Sequence, residues 1–240
     1  MGRVPAELTP ADDELVVAEV FGPTFQGEGP SLGRRAGFVR LGRCNLDCVW
    51  CDTPYTWDWE RFDPAVELRR SPISAVVTRL EEMSPEIVVI TGGEPLLQQR
   101  RLGPLLDACA QRGWAVEIET NGTIVPDPAV IARVRQWNVS PKLANSGIDL
   151  ATRIRPDALA AFVAAGNAVF KFVVAATDEL DEIDELAEAY GLSPVWVMPE
   201  GTDANTLTER ARSLAEPVLD RGWNFTPRLH VLLWGDERGR

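Results

Sequence analysis

The chain has 240 residues, 45% of them apolar, and 36 acids against 24 lysines and arginines give a formal charge of -12. That excess repels a phosphate backbone, which argues against nucleic acid as a partner, and no charge-free apolar run is long enough to cross a bilayer. Size and composition suit one soluble domain over residues 1–240; residues 1–13 lack the basic stretch and apolar core of a secretory signal, so the cytoplasm is the expected compartment.

The first patterned segment is Phe21-Gly-Pro-Thr-Phe25-Gln26-Gly27-Glu28-Gly29-Pro30, with Arg40 after it. Cys44, Cys48 and Cys51 then fall within eight residues, spaced CxxxCxxC. Three thiolates so close in sequence can ligate an iron-sulfur cube and leave its fourth iron open to a substrate-like molecule. Structural zinc wants four ligands in two pairs, and the second pair is missing, because Cys109 and His230 lie far along the chain. Cys109 sits in an apolar helical run and reads as a small buried hydrophobe. A reducing compartment suits free thiolates that must hold iron.

Residues 53–72, with Trp57, Trp59 and three prolines, read as the longest stretch without regular structure. Beyond it, apolar runs of strand length alternate with helical patterns. The predicted order is a strand at 86–91, a helix at 96–112, a strand at 114–120, a short helix at 130–136 and a strand at 137–140. A helix at 156–165 and a strand at 168–174 follow. Next comes an acidic helix within 177–188, whose Leu180, Ile183, Leu186 and Ala187 share one face and whose acids form a solvated one. A strand at 194–198 and a last helix at 205–221 complete the series, and the lone His230 lies in an apolar run that reads as a strand.

Such alternation predicts an α/β fold of parallel βα units, and about six core strands would make a partial barrel, open on one side. The polar loops fall just after the strands: Thr91-Gly92-Gly93-Glu94-Pro95, Glu119-Thr-Asn121-Gly122, Ser140-Pro141-Lys142 and Met198-Pro199-Glu200-Gly201. In a parallel barrel they gather on one rim, where an active site belongs. In the first loop, glycines let backbone approach a ligand closely and Glu94 supplies a carboxylate.

The cysteine loop, the aromatic Trp50 beside its last cysteine, and the Gly-Gly-Glu-Pro motif after the next strand resemble the radical S-adenosylmethionine superfamily. The resemblance implies a 4Fe-4S cluster on Cys44, Cys48 and Cys51 and an electron donor of flavodoxin or ferredoxin type. It implies S-adenosylmethionine held by Trp50, Asp52, Gly92, Gly93, Glu94, Glu119, Asn121, Ser140, Pro141, Lys142, Met198, Pro199, Glu200 and Gly201. Cleavage of the sulfonium to a 5'-deoxyadenosyl radical is chemistry no side chain performs.

A narrower resemblance, to the 7-carboxy-7-deazaguanine synthases, rests on Gln26-Gly-Glu28-Gly29, Arg40, Cys51-Asp-Thr53 and Arg228-Leu-His230-Val-Leu-Leu-Trp-Gly235, and spans nearly the whole chain. It implies contraction of a 6-carboxytetrahydropterin ring with loss of ammonia. The substrate would meet Phe25, Gln26, Gly27, Glu28, Arg40, Thr91 and His230, with Mg2+ on Thr53. It implies a homodimer, a substrate-binding segment over residues 15–40 and a tail over residues 224–240 that closes the site.

The chemistry agrees. Arg40 offers a planar fork to a carboxylate, Gln26 and Glu28 offer donors and acceptors to a guanine-like edge, and a hydroxyl suits a hard ion. Only three residues separate the first two cysteines, where some members carry a long insertion, which leaves less cover over the cluster. A glycyl-radical-enzyme activase shares the cysteine loop and Gly-Gly-Glu but has no reason to carry Gln26-Gly-Glu28-Gly29 with Arg40; a non-enzymatic iron-sulfur or zinc module accounts for fewer of the loops. The product would serve queuosine in transfer RNA or a deazapurine secondary metabolite, since both pathways share it.

Overall fold

The structure is a computed structural model that describes residues 10–240, so residues 1–9 of the segment read as free of a signal lie outside the described residues. The described chain enters through a long strand, β1 (Glu14–Phe25), and returns as β2 (Arg35–Leu41), paired antiparallel. β3 (Arg69–Pro72) pairs with the other edge of β1. From β2 onward the strands run parallel: β4 (Ile87–Gly92), β5 (Ala115–Thr120), β6 (Gln136–Val139), β7 (Ala168–Val174), β8 (Val195–Pro199) and the two-residue β9 (Asn224–Phe225).

Among the described residues these strands form one sheet in the order β3-β1-β2-β4-β5-β6-β7-β8-β9, with β3 and β9 left as its edges. A mostly parallel sheet with two free edges agrees with the open, partial barrel that the alternation predicts, and β2 with β4 to β8 are its six core strands. The crossovers carry α1 (Ile73–Met83), α2 (Gly103–Gln111), α3 (Pro156–Ala165), α4 (Leu180–Tyr190) and α5 (Ala204–Asp220), each with one apolar stripe against the sheet. Val39, Val88, Ile90, Ile118, Trp137, Phe170 and Phe172 from the strands meet Leu80, Leu105, Phe162, Ile183 and Leu214 from the helices in one core. Burial of each such side chain contributes about 1.5–3 kcal/mol. Cys109 lies fully buried in that core, as its apolar surroundings predict.

Several segments differ from the sequence reading. Residues 53–72 hold a short helix (Pro64–Glu67) capped by the Asp63 carboxylate, and β3, whose Arg69-Arg70-Ser71-Pro72 composition is tolerated because it is an edge. The helix expected over 96–112 is a 3-10 stretch (Pro95–Arg101) followed by α2, since Gly103 and Pro104 restart it. The helix expected over 130–136 is a single turn (Pro128–Ile131), because Arg135 N already bonds Val116 O and Gln136 belongs to β6. α5 is not the last helix: Leu229–Trp234 is helical, so His230 stands on a helix and not a strand. The acidic helix buries Leu180, Ile183 and Leu186, and Asp181 and Asp184 face solvent as expected. Glu182 instead turns inward to the Ala144 amide and Arg153.

Candidate active site

The carboxyl ends of the parallel strands open onto one cavity of about 530 Å³. Its floor is set by a close backbone crossing. Gly92 and Gly93 end β4 against the turn after β2, with Gly93 N on Leu41 O at 3.1 Å and Glu94 N on Arg43 O at 2.8 Å. A Cβ on Gly92 would lie 2.1 Å from Leu41 O, and one on Gly93 2.1 Å from Arg43 O. The two glycines therefore serve first to seat the backbone that leads into Cys44, and only then to face the cavity.

Cys44, Cys48 and Cys51 are free thiols on the loop so anchored, and all three line the cavity. Burial pushes the Cys44 thiol up to about 12 and raises that of Cys48 as well, so these sulfurs ionise only against a strongly positive partner. Trp57 Nε1 donates to Cys51 Sγ at 3.3 Å and the Leu46 amide to Cys44 Sγ at 3.5 Å. Among the described residues no three His, Cys, Asp or Glu side chains converge on one point as a single ion requires. Three soft thiolates ringing a cavity, two with N–H donors, fit a polynuclear cluster, in which each sulfur holds a different iron. The loop is tied to its neighbours through Asn45 Nδ2 to Thr123 Oγ1 (2.8 Å) and the Val49 amide to Ser146 O (3.0 Å). Trp50 is held by Asn145 Oδ1 at 3.1 Å, and the Lys142 ammonium stands 5.5 Å from its ring centroid.

The same cavity has a charged wall. Glu28 is clasped by Lys171, from the middle of β7, and by Arg228 Nε at 3.4 Å. Burial alone would raise the Glu28 carboxyl; Lys171 and then Arg228 and His230 outweigh it and hold it far below the ordinary carboxylate range. Glu119 accepts from Thr91 Oγ1 at 2.7 Å and from Gln26 Nε2 at 3.2 Å, while Gln26 Oε1 takes the Glu28 amide at 3.3 Å. Arg40 Nε meets Glu19 at 3.2 Å, with the guanidinium 5.4 Å from the Phe21 ring centroid. Arg238, from the chain's end, pairs with Glu19 and Glu67 and lies 3.9 Å from the Tyr55 ring centroid.

The cavity thus brings together Phe25, Gln26, Gly27, Glu28, Arg40, Trp50, Asp52, Thr53, Thr91, Glu119, Asn121, Ser140, Lys142, Met198 and His230 with the cysteines and both glycines. Glu94, Pro141, Pro199, Glu200 and Gly201 do not line it. Glu94 is fully buried, its oxygens taken by the Leu96 and Asn121 amides and Thr120 Oγ1 at 2.7–3.0 Å. Glu200 pairs with Arg210, and Gly201 O accepts from Arg228. Lys171, Arg228, Tyr55, Trp57 and Arg238 line the wall, and Glu19 pairs with Arg40 and Arg238; the sequence reading gave none of the six a role at the site. Lys171 had a signal: one cation inside Ala-Val-Phe-Lys-Phe-Val-Val, a strand that must be buried on both faces.

A parallel partial barrel with three cysteines on its first rim loop and a Gly-Gly-Glu turn on its second defines a radical S-adenosylmethionine protein, and residues 39–149 match the Radical SAM superfamily. The 7-carboxy-7-deazaguanine synthase of Pyrobaculum aerophilum is 38% identical over 96% of this chain and 99% of its own, and that of Hyperthermus butylicus 36% over 91% and 92%. The crystal structure of QueE from Escherichia coli superposes with a TM-score of 0.68 at 25% identity, over 90% of this chain and 95% of that one. The chain belongs to the 7-carboxy-7-deazaguanine synthase family. Streptococcus suis SuiB, at 16% identity and a TM-score of 0.56 over 79% of this chain and 48% of its own, shares the fold alone.

Proposed function

We propose that this chain is a radical S-adenosylmethionine lyase that contracts 6-carboxy-5,6,7,8-tetrahydropterin to 7-carboxy-7-deazaguanine with loss of ammonia, in 7-deazapurine biosynthesis. The observation that carries the reading is that Phe25 to Glu28, Arg40 and His230 line the same cavity as the three cysteines. Cys44, Cys48 and Cys51 would hold the 4Fe-4S cluster, and Trp50, Asn121, Ser140 and Lys142 would border S-adenosylmethionine. When bound, the pair supplies a one-electron cleavage that yields a hydrogen-abstracting carbon radical.

The chain's own residues bind and orient. A 2-amino-4-oxo ring presents adjacent N–H donors, and Glu28, kept ionised by Lys171 and Arg228, accepts them as a charge-assisted pair. Glu119, aligned by Thr91 and Gln26, offers a second acceptor. Arg40 takes the substrate carboxylate on the fork edge that Glu19 leaves open. Thr53 stands in the wall beside Cys51 and Asp52, and its hydroxyl with substrate oxygens would hold Mg2+. Glu94 works from beneath, fixing the Thr120 and Asn121 turn. The tail closes the mouth through Arg238 on Glu19 and Glu67.

An external one-electron donor of flavodoxin or ferredoxin type, a homodimer and a cytoplasmic site belong to the same proposal. Thiols that must stay reduced support the last, and a charge of -12 supports the lack of a nucleic-acid partner. No helix among the described residues is long and apolar enough to cross a membrane. The test is anaerobic turnover of reconstituted protein with S-adenosylmethionine, reductant, Mg2+ and the pterin. A new species with the mass of 7-carboxy-7-deazaguanine is expected; 5'-deoxyadenosine without it would leave the radical chemistry and remove the substrate.

A further inference from the structure

We infer that Arg228 is a positioning residue that fixes His230 as the neutral tautomer with its proton on Nδ1, so that the ring gives the cavity a hydrogen-bond donor. Arg228 enters just before the last helix with 8% of its side chain exposed. Its N–H groups are allotted to three separate segments. Nε faces Glu28 Oε1 at 3.4 Å, Nη1 donates to Gly201 O at 2.6 Å, and Nη2 donates to Asp52 Oδ2. Acceptors on three edges lock the guanidinium plane, and the remaining Nη2 hydrogen points to His230 Nε2, 3.5 Å away.

A guanidinium has five N–H donors, no acceptor, and keeps its charge throughout the range in which proteins stay folded. A proton on Nε2 would set donor against donor beside a fixed cation; a lone pair there is stabilised by it. The proton therefore resides on Nδ1. Packing fixes which edge of the ring meets which neighbour. A Cβ on Gly27 would fall 2.3 Å from Nδ1, and the Leu229 amide bonds Gly27 O at 2.9 Å, so this edge of His230 is pressed on the substrate segment. Glu28, Asp52 and Glu119 favour a charged imidazole, whereas burial and Arg228 oppose it and together lower its pKa. Use of the Nδ1 donor by a pterin rests on the function proposed above; the tautomer does not.

His230 is the only histidine, so one imidazole answers in a spectrum of 15N-histidine-labelled protein. Long-range 1H–15N correlation is recorded on anaerobic, cluster-loaded, oxidised protein without substrate at neutral pH. The expected result is a protonated Nδ1 and a bare Nε2 in the wild type, and transfer of the proton to Nε2 in at least half the molecules of Arg228→Met. A protonated Nε2 in the wild type, or an unchanged Nδ1–H in Arg228→Met, overturns the assignment. Should that variant fail to fold, the wild-type spectrum decides alone. The readout involves no turnover, so failure to make product and failure of the tautomer are separate results.

Discussion

Replacing Lys171 by Met keeps the stem volume and removes the ammonium from the middle of β7. Lys171 has 6% of its side chain exposed and Glu28 14%, so neither charge is relieved by water. Breaking a buried pair from one side costs about 3–5 kcal/mol, and because Arg228 still faces Glu28 the lower end applies, about 3 kcal/mol. In a chain of this size that is about 6–12 °C in Tm. Glu28→Gln alone should cost a similar amount, since it strands the lysine. The double variant should lose about 3–4 kcal/mol, little more than either single one and well short of the summed losses, a coupling of about 2–3 kcal/mol.

The pH dependence has a definite sign. Glu28 is held below its ordinary 4.5, so its share is present above that value and lost as pH falls toward its lowered folded value. Lys171 is raised above 10.5, mainly by Glu28 working against burial, so its share is lost only as pH rises past that value. The gap between wild type and Lys171→Met is therefore flat from about pH 6 to 9 and closes in acid. Thermal or urea unfolding of the four proteins, all cluster-loaded, measures it. Equal stability of wild type and Lys171→Met at neutral pH, or strictly additive losses, would refute the reasoning.

Cys48→Ala should lose bound iron and sulfide and form 5'-deoxyadenosine only at background; a normal iron content would remove Cys48 from the cluster. Gly93→Ala should lower stability by about 1–3 kcal/mol or more, because its Cβ would meet Arg43 O at 2.1 Å, and should impair cluster loading with it; a urea midpoint like that of wild type would contradict the crossing. Arg40→Ala should reduce kcat/KM for the pterin about 10–150-fold, the equivalent of about 1.5–3 kcal/mol of charged hydrogen bonding, with iron content unchanged. An unaltered kcat/KM would exclude Arg40 from substrate contact.

The parts of the fold that could be read from the chain are those whose signal is local. β4 and β8 are apolar runs bounded by polar loops, β7 is one broken only by Lys171, and β5 keeps its apolar residues at alternate positions between Glu117 and Glu119; the pattern alone marks them as strands. β1 escaped because its register shifts between Val17 and Glu19 and again between Phe21 and Thr24, which breaks the two-residue alternation that identifies a strand. Leu229-His-Val-Leu-Leu-Trp234 is too short for periodicity to separate helix from strand. In the site, the cysteine loop and the glycine turn were legible from spacing. The ion pairs were not, since Arg228 with Asp52 and Arg238 with Glu19 join residues 176 and 219 positions apart. Glu94 also has a part that its place in a rim loop did not show: both of its oxygens close the turn beneath.

The most direct test of the central claim, that one cavity both activates S-adenosylmethionine and contracts the pterin, uses substrate deuterated at C6 under anaerobic, single-turnover conditions. Deuterium should leave the substrate and enter the 5' position of the adenosyl group, while 7-carboxy-7-deazaguanine forms. Unlabelled 5'-deoxyadenosine with intact pterin would contradict the account.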